Sequence, residues 1–158
     1  MAVPEIMIEV ASRPEAADIL SSPCRCAEVT CLVSIGDRHD QLPVGYDNVH
    51  RKLRLLVADV VTEEGASEGD VWQIIELAES VRRLTGKVLI HCEAGVSRSP
   101  AAALIMYACW LGPGREREAM RRVLAQRPMA MPNRRMVELA DKMLARGGCL
   151  VEVLSQLA

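Results

Sequence analysis

The chain has 158 residues, of which 50% are hydrophobic, 25% charged and only 3% aromatic, and its net charge is −2. That length and apolar content suit a single domain over 1–158 with a real core, and they exclude a disordered chain. Near-neutral charge and a supply of aromatics limited to Tyr46, Trp72, Tyr107 and Trp110 leave neither a basic field nor stacking platforms, so no nucleic-acid partner is expected.

The opening stretch MAVPEIMIEV has no basic segment followed by a long apolar one, so no signal peptide is expected. Ile6–Val10 is a candidate first strand. Ser12-Arg13-Pro14-Glu15 forms a capping box with proline in the first turn, and predicts a short helix to about Leu20. Ser21–Cys26 reads as a loop, and the β-branched run Glu28–Ile35 as a buried strand. Gly36–Asn48 is rich in turn residues and reads as a loop, followed by a strand over Arg51–Val57. The stretch from Ala58 to Ala66 is another loop. Ser67-x-x-Asp70 is a second capping box, and Val71, Ile74, Ile75, Ala78 and Val81 then recur at helical spacing until Gly86.

Val88-Leu89-Ile90 is a short buried strand, and Ala101–Leu111 is apolar on every side, as a central helix would be. Gly112-Pro113-Gly114 breaks the chain. Ala119, Met120, Val123 and Leu124 make one helix face, ended by Pro128. Asn133 is an N-cap for a helix through Leu144, Gly147-Gly148 stops it, and Leu150–Leu157 predicts one more short helix. Strands alternating with helices give an α/β fold: a four- or five-stranded, mostly parallel sheet with helices on both faces. No apolar run approaches the ~20 residues that span a bilayer, so no membrane insertion is expected.

Between the strand at Val88–Ile90 and the following helix lies His91-Cys92-Glu93-Ala94-Gly95-Val96-Ser97-Arg98-Ser99. A loop in that position converges backbone N–H groups on an anion, and the helix N-terminus adds partial positive charge. Gly95 lets the backbone close tightly, and Pro100 costs no hydrogen bond in a first helical turn. Cys92 sits where a thiolate is stabilised and can act as nucleophile. The planar fork of Arg98 can bind two equatorial oxygens of a phosphoryl group. Ser99 can hydrogen-bond the sulfur when it departs. Glu93, Ala94, Gly95, Val96, Ser97 and Arg98 form the expected substrate-binding loop.

These residues fill the pattern His-Cys-x-x-Gly-x-x-Arg-Ser/Thr, and the chain resembles the dual-specificity branch of the cysteine-based protein tyrosine phosphatases. From Leu53 onward, with Arg127-Pro128, Met131-Pro132-Asn133 and Arg146-Gly147-Gly148, it resembles a small bacterial branch of that family. The first fifty residues resemble it poorly. The resemblance implies metal-independent phosphomonoester hydrolysis through a phosphocysteine, with a phosphorylated protein as partner and no cofactor. It implies a structural role for His91 and a side chain of Asn133 that braces the loop. Asn133 also reads as a plain N-cap.

A hydrolase of this kind needs an acid for the leaving oxygen. Asp59 follows a predicted strand, which places it at the ligand-binding edge of an open α/β sheet. Leu55-Leu56-Val57-Ala58-Asp59 also resembles the acid-bearing stretch of dual-specificity phosphatases. Glu63, Glu64, Asp37 and Asp40 rank below it. Arginines from Arg115 to Arg146 read first as a solvated helical face and second as a substrate-attracting patch.

The six cysteines match no secreted framework or zinc spacing, so no metal is expected and a reducing cytoplasm suits them. Cys31 and Cys109 read as small buried hydrophobes. Three rival readings stay open. A phosphoinositide or RNA 5′-phosphate phosphatase keeps the loop and changes the substrate, although the loop carries no lysine. A phosphopeptide-binding module without turnover has no need of a thiolate. A rhodanese-like sulfur transferase or arsenate reductase would not need Asp59 and Ser99.

Overall fold

The computed structural model describes residues 6–157; residues 1–5 of the opening stretch lie outside it. Its strands are β1 (Met7–Ala11), β2 (Val29–Gly36), β3 (Lys52–Leu56) and β4 (Lys87–His91). Its helices are α1 (Arg13–Ser21), α2 (Pro23–Cys26), α3 (Glu68–Val81), α4 (Arg98–Leu111), α5 (Glu116–Gln126), α6 (Arg134–Met143) and α7 (Cys149–Glu152), with 3-10 turns at Tyr46–Asn48 and Val153–Gln156. The sheet is four-stranded and fully parallel, in the order β1-β4-β2-β3.

Both capping boxes form. Ser12 accepts from Glu15 N and Ser67 from Asp70 N, while each acidic side chain returns to the capping residue's own N–H. They start α1 and α3 where the sequence places them, because the four free N–H groups of a helix start need local acceptors. Differences fall where the signal was weak. Ser21–Cys26 is not all loop: Ser22 caps the short α2, whose Pro23 stands in its first turn. The carboxy-terminal helix divides into α7 and a 3-10 turn.

Parallel strands need both faces covered. Val88, Leu89 and Ile90 of β4 are wholly buried, and they face two cores by alternation. Leu89 and Leu32 meet Ala16, Ile19 and Leu20 of α1 on one side. Val88, Ile90, Val33 and Ile35 meet α3 and α4 in the larger core on the other. In α4 every residue from Arg98 to Cys109 is buried, so this helix is the axis of the larger core. The edge of β1 is covered by side chains: Val10 N donates to Gln126 Oε1, and Gln126 Nε2 donates to the Tyr107 hydroxyl.

The arginines from Arg115 to Arg146 are not one solvated face. Arg146 is buried against Glu116 at 2.6 Å and donates to the Ala108 carbonyl, tying α5 and α4 to the end of α6. Arg127 reaches the loop after β4. At the same end of α6, Ala145 takes φ +53° and two bonds close the turn, Ala145 N to Lys142 O and Arg146 N to Asp141 O. The Asp141 carboxylate accepts from the N–H groups of Gly148, Leu150 and Val151, which nucleates α7.

Candidate active site

The loop 92–97 joins the C-terminal end of β4 to the start of α4, at the sheet edge where β1 and β2 diverge on either side of β4. Gly95 has φ +72°, and a Cβ there would meet the Arg127 guanidinium and lie 2.9 Å from the carbonyl carbon and oxygen of Ala11. Only glycine takes this conformation in this space without cost.

Every loop carbonyl is bound from outside. Cys92 O lies 2.8 Å from His91 Nδ1, and Glu93 O accepts from Arg13 N at 3.0 Å. Ala94 O and Gly95 O accept from Arg127 Nη2 and Nε at 3.2 and 3.1 Å. Val96 O accepts from Met131 N, and Ser97 O from Asn133 N and Ala101 N. Across a planar trans peptide the N–H points opposite to the C=O. Six consecutive carbonyls held on the outside therefore turn the following N–H groups inward, a concave nest for an anion.

Cys92 Sγ lies in that nest, nearly fully buried. Gly95 N donates to it at 3.2 Å, and Ser99 Oγ lies 3.1 Å away. Arg98 is also buried. Its Nη1 donates to Val57 O at 2.9 Å and stands 3.8 Å from Asp40 Oδ2. Its Nε is buried with no hydrogen-bond partner among the described residues. A buried guanidinium N–H without an acceptor is costly, and a phosphoryl oxygen would satisfy it.

Asp59, on the loop after β3, is brought to the same place. Its Oδ1 accepts from Ser97 Oγ at 2.7 Å and from Asn133 Nδ2 at 3.1 Å. Ser97 spends its hydroxyl on Asp59 and makes no side-chain cap for α4. Glu63 and Glu64 are exposed and have no such tether among the described residues. Asn133 caps α6 through Met136 N, as its N-cap reading expects, but its side chain braces the acid loop, at Asp59 and Val60 O, and the nucleophile loop is held instead by its backbone N–H. The carboxylate of Glu93 turns outward to Arg13, at 3.0 Å.

His91 is buried, and desolvation lowers its pKa, opposed by its hydrogen bond to Cys92 O. Burial pushes the thiols of Cys31 and Cys109 up to about 11, which disfavours their thiolate forms. No group of three or more His, Cys, Asp or Glu residues that could hold a metal occurs among the described residues, and no described helix is long and apolar enough to cross a membrane. Sequence reasoning missed Arg13 and Arg127 as loop braces, and Asp40 as the carboxylate nearest Arg98. Arg127-Pro128 stood out in the sequence only through the family resemblance, Asp40 only as a lower-ranked acid near a strand end, and Arg13 as no more than part of a capping box.

No family model matches the chain. Two curated relatives, dual specificity protein phosphatase 5 of Homo sapiens and of Rattus norvegicus, are each 39% identical over 61 residues. That stretch is 39% of this chain, and the chain spans only 16% of the length of these relatives. Among solved structures, DUSP15 is similar with a TM-score of 0.68 at 21% identity, over 98% of this chain and 97% of that one. Human DUSP28 is similar with a TM-score of 0.63 at 23% identity, over 92% and 95%. PTPMT1 in complex with PI(5)P is similar with a TM-score of 0.66 at 14% identity, over 96% and 95%. These likenesses show that the chain has the fold of the dual-specificity phosphatases.

Proposed function

We propose that residues 1–158 act as one phosphatase domain, a metal-independent phosphomonoester hydrolase working through a phosphocysteine on phosphorylated protein. Cys92 thiolate attacks phosphorus in line, forming the S–P bond as the P–O bond to the leaving group breaks. Arg98 Nε and the inward N–H groups of the loop hold the equatorial oxygens throughout. Asp59 gives its proton to the departing oxygen. Asp59, now ionised, then takes a proton from the attacking water, and the sulfur leaves as thiolate, stabilised by Ser99 Oγ and Gly95 N–H. The observation that carries this reading is the outward engagement of all six carbonyls from Cys92 to Ser97 around a buried sulfur and an Arg98 Nε that has no partner among the described residues.

A polyanionic lipid head group or an RNA 5′-phosphate fits less well. The loop offers Glu93, Ala94, Val96 and Ser97 where extra cations would serve, and Arg13 beside it is already paired with Glu93. A reducing compartment such as the cytoplasm suits the same chemistry, since the reaction needs a reduced Cys92.

The test compares wild type and Cys92→Ser on an aryl phosphate, a phosphotyrosine peptide, a phosphothreonine peptide, a phosphoinositide vesicle and a 5′-phosphorylated RNA. Wild type should hydrolyse the aryl phosphate and at least one peptide fastest, and the serine variant none. Turnover by Cys92→Ser, or preference for lipid or RNA, would overturn the reading.

A further inference from the structure

A row of polar groups lies behind the nucleophile loop, and the hydrolysis proposed above uses only its last contact, His91 Nδ1 to Cys92 O. The sheet register sets Arg54 of β3 beside Ser34 of β2, and Ser34 beside His91 of β4. Paired residues of adjacent parallel strands project from the same face, so the three side chains meet at one level of the sheet. Arg54 Nη1 donates to Ser34 Oγ at 2.8 Å, and Ser34 Oγ lies 2.7 Å from His91 Nε2. Ser34 is 0% and His91 1% exposed, so the row is closed to bulk solvent. Arg54 Nη2 also donates to Asp40 O at 3.3 Å. The guanidinium lies against Gly36, where a Cβ would come within 2.6 Å of Nη2.

Donor and acceptor chemistry settles the protons along this row. A guanidinium only donates and a backbone carbonyl only accepts. The contact of His91 Nδ1 with Cys92 O therefore needs the hydrogen on Nδ1. In a neutral imidazole Nε2 is then a bare acceptor, and it takes the Ser34 hydroxyl hydrogen while Ser34 oxygen accepts from Arg54. An imidazolium would turn a second N–H on the Ser34 oxygen and leave the hydroxyl hydrogen without an acceptor in the row. The charged groups that bear on His91 are Arg54 and Arg13, which disfavour its charged form, and Glu93, which favours it.

We propose that Arg54 and Ser34 are positioning residues: they hold His91 as the neutral Nδ1–H tautomer, which keeps the Cys92 carbonyl on the outer side of the loop and the Glu93 N–H turned toward the phosphoryl oxygens. The consequence for turnover rests on the phosphatase reading. The tautomer itself does not, and can be read without substrate.

The test is side-chain 15N NMR of His91 in the full chain, with its signals assigned by their loss in His91→Gln, alongside steady-state kinetics on an aryl phosphate. In wild type, Nδ1 should be protonated and Nε2 bare from pH 6 to pH 8. In Arg54→Met and Ser34→Ala, Nε2 should take up a proton within that range, kcat should fall about tenfold, and the pH profile should gain an ionisation near the ordinary histidine value of ~6.5. Ser34→Thr, which keeps the hydroxyl, should restore the wild-type signals and profile. Gly36→Ala removes no polar group but displaces the Arg54 head, and should give a smaller change of the same sign. A protonated Nε2 in wild type overturns the proposal whether or not the variants fold. So does an unchanged tautomer and pH profile in Gly36→Ala and Arg54→Met, even if stability drops, because that is what a purely structural role would give. Absence of any turnover by wild type with the expected tautomer would overturn the phosphatase reading and leave the tautomer standing.

Discussion

Asp59→Asn separates the chemistry of the acid from its placement. Asn keeps an oxygen at the Oδ1 position, where Ser97 Oγ and Asn133 Nδ2 donate at 2.7 and 3.1 Å, so the side chain should hold its orientation. What is lost is the transferable proton on the other atom. General acid catalysis contributes roughly 10²–10⁴-fold, which is about 2.7–5.5 kcal/mol of barrier at 1.36 kcal/mol per factor of ten. The full loss should appear with leaving groups that depart poorly as anions, such as phenolate or a tyrosine side chain. It should shrink to a few fold with strongly acidic phenols, because these need no proton to leave. The assay is kcat/KM across a series of aryl phosphates, in which the variant's dependence on leaving-group acidity should steepen. Cys92 alkylation by iodoacetate should stay fast, since the loop and Arg98 are untouched. Asp40→Asn is the control, because Asp40 Oδ2 is the carboxylate oxygen 3.8 Å from Arg98 Nη1. Equal rates for wild type and Asp59→Asn on phenyl phosphate, with the loss appearing in Asp40→Asn, would refute the assignment of Asp59.

Gly95→Ala should weaken inhibition by vanadate and destabilise the protein by at least about 1–2 kcal/mol, the cost of a left-handed L-residue, since its Cβ displaces Arg127 from the loop carbonyls; competitive inhibition and urea unfolding measure the two effects. Arg146→Met should cost ~3–5 kcal/mol because it strands the buried Glu116, and Glu116→Leu added to it should recover most of that loss in denaturant titrations. Acid should loosen the brace on the nucleophile loop. Hydrogen bonds from Arg127 and then Ser12 lower the Glu15 pKa to about 2 from an ordinary 4.5, so this contribution is full above pH 4.5 and is lost as pH falls toward 2. Glu15 is half exposed, so the effect is modest, and the acid-side fall in unfolding midpoint should be smaller in Arg127→Met. Ala145→Gly should raise stability by ~0.5 kcal/mol, since Ala145 closes the end of α6 at φ +53°, and thermal melts would show it.

Much of the site is legible in the order of residues because its chemistry is local. Cys92, Gly95, Arg98 and Ser99 belong to one strand–loop–helix unit, and a single turn of backbone sets their spacing. The two capping boxes are likewise closed within three residues, and both helices start where they place them. The short α2 escaped because Pro23, which rigidifies a turn as readily as it opens a helix, sits in a run with no apolar period.

What only the tertiary structure decides is which distant groups hold that local unit in shape. Arg127 and Glu15 are 112 positions apart, Arg13 and Glu93 are 80 apart, and Asn133 and Asp59 are 74 apart. Along the chain Glu15, Asp59, Glu93 and Asn133 stand out for local reasons, but nothing in the order of residues says which distant partner each one meets. Ser34 and Arg54 look like polar interruptions in two apolar strands until the register of a parallel sheet lines them up with His91. Local sequence chooses the nucleophile, the phosphate-binding arginine and the bend between them, because steric and hydrogen-bonding preferences act over a few residues. The carbonyls of the loop are turned outward by donors that arrive from α1, from the segment after α5 and from the start of α6, and only the packing of these elements against the β4 end brings them there.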